Sequence, residues 1–499
     1  MARLRPIVLL VLAIIAAAQA PPHASSSSAL AAAQADFDRG EFRLAAAAYQ
    51  LLIEANPVLP EAHAGLVRSL LKLDEVDAAE QASRKALQLL PESALVLAGD
   101  GDVKFRRGLL AEAQEQYQAA ISRDEKCARA WLGLGRIHAA ESQRRQSLEA
   151  FARAHELAPY DGDALYYWAL GLPFPQNATE LEKHLARYRD DPEKERHERE
   201  YINFLRAIAG RKVWVPAREV NQAVIRLQPV VSDVRNGARG FSLKVRLNDR
   251  ATATVMLDTG ASGLTISHKM AERLHAPKLS EHSLEGVGNS GPAKGYEAWI
   301  DKVTIGDLEF HDCHVHVSPR DSPDYDGLIG SDVFERYLVT IDFPDHKLRL
   351  DPLPSLATKS PDGHTEGLSS FTSFYRFGHI MLMPTRVGDT AQGLFALDTG
   401  SSTNTMSPSL ARHVSTLRSS NIPVNGVSGS VTNVFTADEA VLQFSRFRQP
   451  HENMITFDLR NLSKDLGTEI SGLIGFATLK KMKMIIDYRD GLVDFDYKQ

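Results

Sequence analysis

The chain has 499 residues, more than one ordinary domain holds, and its 43% apolar and 24% charged residues are typical of a soluble globular protein. The net charge of −6 and the even spread of lysine and arginine argue against a nucleic-acid-binding protein. The two cysteines, Cys127 and Cys313, fall in regions of different character, so we predict no disulfide between them.

The N-terminus has the pattern of an export signal. Arg3 and Arg5 precede an apolar run over residues 7–18, and small residues follow this run. We therefore predict a signal peptide over residues 1–24 and a periplasmic or extracellular protein, with an uncleaved membrane anchor as the alternative. Later segments are too short or too polar to span a bilayer.

Residues 26–160 repeat with a period of 34. Pro57, Pro91 and Pro159 are separated by multiples of this period. Small residues recur at the same period, at Ala45, Ala79, Ala113 and Ser147. The pattern resembles the tetratricopeptide repeat, which implies four stacked helix pairs and a surface for a protein partner. A rigid spacer without a ligand is the alternative, and we predict a helical cap and linker over residues 161–225.

From about residue 230 the sequence becomes β-rich and repeats itself once. Each copy has an apolar strand that leads into Asp-Thr-Gly, at Asp258 and at Asp398. Each then continues to a Gly-Leu-Ile-Gly segment, over residues 327–330 and 472–475. Chance alone gives about 0.1 Asp-Thr-Gly triplets in a chain of this length. Two triplets in the same context therefore indicate a duplicated unit.

Both copies resemble the bacterial retropepsin-like and pepsin-like aspartic proteases. The resemblance implies two lobes, over residues 230–355 and 365–499, joined by a linker long enough for them to face each other. The predicted fold is therefore multidomain, with an N-terminal all-α tetratricopeptide solenoid followed by two all-β retropepsin-like lobes. In that family the Asp-Thr-Gly loop carries the catalytic aspartate, and the later Gly-containing segment runs beside it as a ψ-shaped support.

The chemistry that the resemblance implies needs both aspartates at one centre. Two carboxylates about 3 Å apart cannot both ionise, so the pair shares one proton. The ionised member activates water, and the protonated member polarises the peptide carbonyl. We therefore predict an aspartic endopeptidase with Asp258 and Asp398 as its dyad, and we expect no cofactor. The sequence leaves open which aspartate carries the proton.

Residues next to the two aspartates are predicted to support them. They are Thr259, Gly260, Ser262, Thr399, Gly400 and Ser401. The resemblance assigns the threonines to hydrogen bonds that lock the two loops together. The glycines allow a tight turn with backbone amides close to the carboxylates. We expect the serine hydroxyls to hydrogen-bond the carboxylates from outside.

One glycine-bearing segment in each copy is the candidate for a flap over the substrate. The two segments are residues 286–291 and 425–430, and their glycines are Gly286, Gly288, Gly291, Gly426 and Gly429. Neither segment has the tyrosine of pepsin-type flaps. The first also spells Gly-x-Gly-x-x-Gly, but no strand–helix–strand pattern surrounds it, so we predict no nucleotide site.

The densest group of metal-ligand residue types is His311, Cys313, His314 and His316. In a strand, His314 and His316 would share one face and Cys313 would point to the other. This spacing does not close a four-ligand site by itself, so we predict an ordinary strand edge and no metal.

Three further hypotheses stay open. In the first, the chain is a non-catalytic peptide-binding or assembly scaffold with a protease-like fold. In the second, it is an adaptor in which the repeat array carries the main function. Within the enzyme class, each lobe would pair with the same lobe of a second molecule. The predicted partners are a peptide or protein substrate and a protein on the repeat surface, with no nucleic acid and no membrane beyond an uncleaved N-terminal anchor.

Overall fold

A computed structural model describes residues 26–232, 235–354 and 370–497. The predicted signal peptide and most of the predicted linker between the two lobes lie outside these residues.

Eight helices of 13 or 14 residues form four consecutive pairs at the front of the chain. They are α1 Ser26–Asp38, α2 Phe42–Ala55, α3 Pro60–Lys72, α4 Val76–Leu89, α5 Ala94–Arg106, α6 Leu110–Arg123, α7 Ala128–Ala140 and α8 Arg144–Leu157. The predicted helical repeat array is confirmed. Among the described helices, none combines the length and the apolar character needed to cross a membrane.

Glycines let the helices of the array pack closely. The Tyr117 ring occupies the space where a Cβ on Gly101 or Gly133 would be, and Phe151 fills the same space at Gly135. The small residues at the 34-residue period are buried as well. Their burial explains the repeat in the sequence, because a larger side chain there would push neighbouring helices apart.

Three more helices follow the array: α9 Gly162–Leu170, α10 Gln176–Arg187 and α11 Pro192–Ile208. Asp191 caps α11, since its side chain accepts a hydrogen bond from the Glu193 amide.

The first β-unit, residues 223–352, is a barrel with short helices. Its elements, with the preceding two-residue strand, are β1 Val215–Pro216, β2 Ala223–Arg226, β3 Gln228–Ser232, β4 Arg235–Leu247, β5 Ala251–Leu257, β6 Leu264–Ser267, α12 His268–Leu274, β7 Lys278–Leu284, β8 Ala293–Ile305, β9 Leu308–Ser318, β10 Gly327–Ile329, a 3-10 helix Ser331–Phe334, β11 Tyr337–Asp342 and β12 Lys347–Pro352. β2 precedes residue 230, where the sequence placed the first lobe's start, and pairs with β12.

The second β-unit, residues 372–497, repeats this order. Its elements are β13 Thr372–Ser373, β14 Tyr375–Phe377, β15 Ile380–Val387, β16 Ala391–Asp398, β17 Thr405–Met406, α13 Pro408–Val414, β18 Leu417–Ser419, β19 Asn425–Gly426, β20 Gly429–Ser430, β21 Phe435–Phe444, β22 Phe447–Thr456, α14 Arg460–Leu466, β23 Gly472–Gly475, α15 Phe476–Leu479, β24 Met482–Asp487 and β25 Leu492–Tyr497.

The main sheets of the two units have the same topology. The order β4-β5-β10-β6-β9-β8-β7 in the first matches β15-β16-β23-β17-β22-β21-β18 in the second. In each, the strand before Asp-Thr-Gly pairs in parallel with the Gly-Leu-Ile-Gly strand, which pairs antiparallel with the strand after the loop. A further pairing closes each sheet into a barrel, β8 with β4 and β21 with β15. The fold is therefore a helical array followed by β-barrels, as predicted.

A six-stranded sheet joins the two units. β11 pairs antiparallel with β24, with Val339 opposite Ile486, and β12, β2, β25 and β13 extend the sheet. The Ser331 and Tyr488 hydroxyls hydrogen-bond across the same junction, both buried. The units share one apolar core, in which Phe241 of the first contacts Phe476 of the second.

The repeat array packs against the second unit. Thr468 donates its hydroxyl hydrogen to the Phe105 carbonyl at 2.7 Å, and the Glu469 amide donates to the Arg106 carbonyl at 2.8 Å. Leu394 packs against Gly108, and residues of both regions form one buried apolar cluster. The array and the second unit therefore share a buried apolar interface.

Substitution of Leu394 by alanine is expected to destabilise the chain by about 2–5 kcal/mol, because Leu394 is 4% exposed within this shared cluster. The matched control is Leu51→Ala on the array, where the side chain is 65% exposed, with an expected change within about 0.5 kcal/mol. Urea unfolding followed by circular dichroism measures both. Equal stability of the two variants would contradict the packing of the array on the second unit.

Candidate active site

Asp258 and Asp398 stand at corresponding places in the two barrels. Asp258 directly follows β5, and its amide donates to the Ile329 carbonyl of β10 at 2.9 Å. Asp398 ends β16 in register with Gly475 of β23. Each loop is thus supported by the ψ-shaped strand arrangement that the resemblance implies.

Four hydrogen bonds lock the two loops to each other. The Thr259 amide donates to the Thr399 hydroxyl oxygen, and the Thr399 amide donates to the Thr259 hydroxyl oxygen, both at 3.0 Å. Each hydroxyl in turn donates to the carbonyl before the opposite aspartate, of Leu397 at 2.7 Å and of Leu257 at 3.1 Å. Both threonines are buried, so the pairing is isolated from water.

The threonine pairing brings both carboxylates to one centre. A Cβ on Gly260 would lie 2.8 Å from Asp398 Oδ1 and 3.3 Å from Asp258 Oδ1. A Cβ on Gly400 would overlap the carboxylate of Asp258. Only glycine leaves room for the opposite carboxylate at these two positions. Their amides also donate to the carboxylate of their own loop, at 2.8 Å for Gly260 and 2.9 Å for Gly400.

Burial changes the acidity of both aspartates. Burial, the charge of Asp398 and the hydrogen bond between the carboxyls together raise the pKa of Asp258 to about 8, although the Gly260 and Gly400 amides oppose the increase. Burial also raises the pKa of Asp398, but the Ser401 and Gly400 amides and the hydrogen bond with Asp258 oppose this increase. The pair therefore keeps a proton well above the pH at which an isolated carboxyl ionises.

The serine hydroxyls do not contact the dyad, contrary to expectation. The Ser401 hydroxyl donates to the Thr403 carbonyl at 2.9 Å, while the Ser401 amide donates to Asp398. The Ser262 hydroxyl lies 3.3 Å from the Asp332 carboxylate, which also accepts the Gly263 amide.

Three supporting residues were missed by the sequence reasoning. Asp332 holds the Asp258 loop, and its position directly after the Gly-Leu-Ile-Gly-Ser run was a usable signal. Asn404 accepts a hydrogen bond from the Gly475 amide at 2.8 Å in the second unit. His379 places Nε2 3.1 Å from the Gly260 carbonyl, and nothing in its local sequence marks this contact.

The two predicted flap segments meet each other. The Ser290 amide donates to the Ser428 carbonyl at 2.7 Å, and the Ser428 amide donates to the Val287 carbonyl at 3.0 Å. Gly286, Gly288, Gly426 and Gly429 all lie at this contact, whereas a Cβ on Gly291 would meet nothing within 4 Å. The first segment is the loop of the β7–β8 hairpin, so its Gly-x-Gly-x-x-Gly pattern does not open a helix.

Helix α11 holds the hairpin that carries the first flap segment. Glu285 accepts hydrogen bonds from Arg196 at 2.6 Å and lies 2.8 Å from His197 Nε2. Glu200 accepts from the Ser283 amide at 3.0 Å and from its hydroxyl at 2.7 Å.

The predicted strand geometry of the histidine group is also present. Cys313 lies in the core of the first unit, while His314 and His316 lie on the opposite face of β9 and His311 is exposed. Cys313 and Cys127 are both free and buried.

Comparison with known proteins agrees with these features. A model of the aspartyl protease family matches residues 243–333, and a tetratricopeptide repeat model matches residues 30–94 and 100–164. The chain therefore carries tetratricopeptide repeats and an aspartyl protease domain around Asp258. The Asp398 unit lies outside the family match. No curated protein matches the chain significantly.

Two solved structures are similar to parts of the chain. A retropepsin-like aspartic protease from Rickettsia conorii is 22% identical, covers 28% of this chain and 97% of its own, and has a TM-score of 0.21. The APC/C hetero-tetramer Cut9–Hcn1 is 19% identical over 36% of this chain and 35% of its own, with a TM-score of 0.32.

Substitution of Thr259 by valine is expected to destabilise the chain by about 1–3 kcal/mol, since it leaves the buried Thr399 amide and Leu397 carbonyl without partners. Thr252→Val, at an exposed position of the neighbouring strand β5, is the control, with an expected change within about 0.5 kcal/mol. Chemical denaturation measures both. Equal stability of the two variants would mean that the threonine pairing does not hold the loops together.

Asp258→Asn is expected to stabilise the chain near pH 8 and to change stability little near pH 4. The folded-state pKa of Asp258 is about 8, above its usual 3.8. The protonated carboxyl therefore contributes its full stabilisation of the fold below about pH 4, and this stabilisation is lost as the pH rises through 8. The neutral amide has no charge to bury at any pH. Thermal melting across this range measures the difference between variant and wild type, and a difference that is independent of pH would contradict the shared-proton centre.

Proposed function

We propose that the chain is an exported aspartic endopeptidase that hydrolyses peptide bonds with Asp258 and Asp398 as one dyad. The observation that carries the proposal is a pair of partly buried carboxyls, hydrogen-bonded to each other and held by symmetric loops. A binding protein would not need two acids in contact, because burying them together costs free energy unless one stays protonated.

The proton of the pair belongs to Asp258 in the resting centre. Asp398 accepts the Gly400 and Ser401 amides at one oxygen, which stabilises its ionised form. Asp258 also accepts the Gly260 amide, but burial and the charge of Asp398 outweigh the amides and raise its pKa to about 8. Asp398 then takes a proton from the attacking water, and Asp258 donates its proton to the carbonyl oxygen of the substrate. The resulting tetrahedral diol collapses when Asp398 passes the proton it took from water to the leaving amine nitrogen, and one diol hydroxyl returns a proton to Asp258 as the C–N bond breaks, which restores the resting centre.

One site per chain is the arrangement that the contacts favour. The β11–β24 pairing and the threonine hydrogen bonds both join the two units of the same chain. Pairing within a chain also has the advantage of a high effective concentration over pairing between chains.

The joined flap segments suggest how substrate enters. Backbone hydrogen bonds between residues 286–291 and 425–430 close the gap between the two units, so the flaps have to separate for a peptide to reach the dyad. The contacts of Glu285 and Ser283 with α11 restrain the first flap.

The repeat array is proposed to recruit a protein partner or substrate. A cavity of about 360 Å³ lies between α1, α3 and α5, with Leu30, Tyr49, Ala64 and Leu95 among its lining residues. Its apolar lining suits the side chains of a peptide segment. The same cavity is the observation that keeps a non-catalytic peptide-binding scaffold as the second candidate function. A periplasmic or extracellular location rests on the sequence pattern of residues 1–24.

Cleavage of a peptide library from pH 3 to 7 tests the proposal. We expect the wild type to cut, and Asp258→Asn and Asp398→Asn each to lose at least about a thousandfold in rate, because either substitution removes a member of the proton-sharing pair. Asp307→Asn in an exposed turn is the control and should cut like wild type.

The other outcomes distinguish the alternatives. If each dyad variant retains about half of the activity, the two units act separately, as in homodimers. If the folded wild type cuts nothing at any pH in this range, the scaffold hypothesis replaces the enzyme.

A further inference from the structure

A second cluster of ionisable side chains lies on three neighbouring strands of the first unit. His282 is on β7, Glu297 on β8 and His316 on β9. Glu297 and His316 are direct cross-strand partners, and β7 pairs with β8 on the other side, with His282 opposite Gly295. One donor atom from each of the three side chains lies within 4.8 Å of the others.

The cluster has more buried polar atoms than hydrogen bonds to satisfy them. The Glu297 side chain is 6% exposed, with Oε1 2.8 Å from His316 Nδ1 and 3.5 Å from His282 Nδ1. Among the described residues, Glu297 Oε2 has no hydrogen-bond partner, and the same is true of Nδ1 in His314 and His316 at acceptable geometry. Buried polar atoms are nearly always satisfied in folded proteins, so this arrangement indicates a missing ligand.

The donor set fits a transition-metal ion. Imidazole nitrogen suits Zn, Cu, Fe and Ni, and two histidines with one glutamate are a known zinc ligand set. Bonds of about 2.0–2.2 Å in a tetrahedron place the ligand atoms about 3.3 Å apart. The separations from Glu297 to the two histidines, 2.8 and 3.5 Å, lie on either side of this value.

We propose that His282, Glu297 and His316 bind one divalent transition-metal ion of the Zn²⁺ type. Three protein ligands leave a fourth position, which water or the neighbouring His314 fills. Phe204 of α11 packs on the His314 ring, with centroids 4.8 Å apart, and so covers the site from the helical side. The prediction of an ordinary strand edge considered β9 alone, and Glu297 and His282 lie on the two neighbouring strands.

The location of the proposed metal site gives the ion a structural role. His282 lies on the hairpin that carries the first flap segment, and His316 lies on β9 beside the Asp258 loop, where a Cβ on Gly263 would be 3.6 Å from its Nε2. A bound ion therefore ties the base of the flap hairpin to the strand behind that loop. The ion has no part in the dyad's proton transfers.

Zinc titration of the metal-stripped full chain by calorimetry tests the site. We expect the wild type to bind a single Zn²⁺ ion, Glu297→Gln to bind it at least about tenfold more weakly, and the double variant His282→Ala/His316→Ala to lose this binding. His311→Ala is the control on the same strand, since His311 is exposed and outside the cluster, and it should bind like wild type.

Two further measurements keep the test decisive if a variant misfolds. Circular dichroism in a chelator shows whether each variant is folded. Zinc-edge X-ray absorption of the loaded wild type reports its ligands directly, and we expect imidazole nitrogens together with oxygen. The proposal is overturned if the folded wild type takes up no zinc, if the folded double variant binds it equally well, or if the spectrum shows sulfur or no imidazole.

Discussion

The contact between two partly buried carboxyls is the constraint on which the rest of the β-region depends. Asp258 and Asp398 are stable side by side only if one stays protonated and the surrounding amides stabilise the other. That balance needs the two loops at a fixed separation, which the reciprocal hydrogen bonds of Thr259 and Thr399 provide. The parallel strands beside each loop and the sheet shared by the two units hold the loops from behind.

The helical array is tied to this centre by packing. Its middle helices bury the outer face of the barrel that contains Asp398, through contacts such as Leu394 with Gly108. The helix α11, which follows the array, holds the flap hairpin of the other barrel through Glu285. The helical region as a whole therefore contacts both barrels, the array on one and α11 on the other.

Features with a repeated local signal were predictable from the sequence. The 34-residue period marks small side chains at helix contacts, and the two Asp-Thr-Gly copies mark equivalent loops, since each is set by a few adjacent residues. Contacts between distant segments were not predictable from the sequence. Leu394 has the same character whether it faces a core or a partner helix, and only the register of three strands brings His282 and His316 to Glu297. The hydroxyl directions of Ser262 and Ser401 depend on the loop backbone, which residue type does not specify.

Native mass spectrometry of the chain with a statine-type transition-state inhibitor tests the central claim most directly, because it reports chain number and ligand number together. If the two aspartates of one chain form one centre, the complex will contain one chain and one inhibitor, and Asp398→Asn will abolish it. A complex that forms only with two chains, or a folded monomer that binds no inhibitor, would contradict a single dyad within the chain.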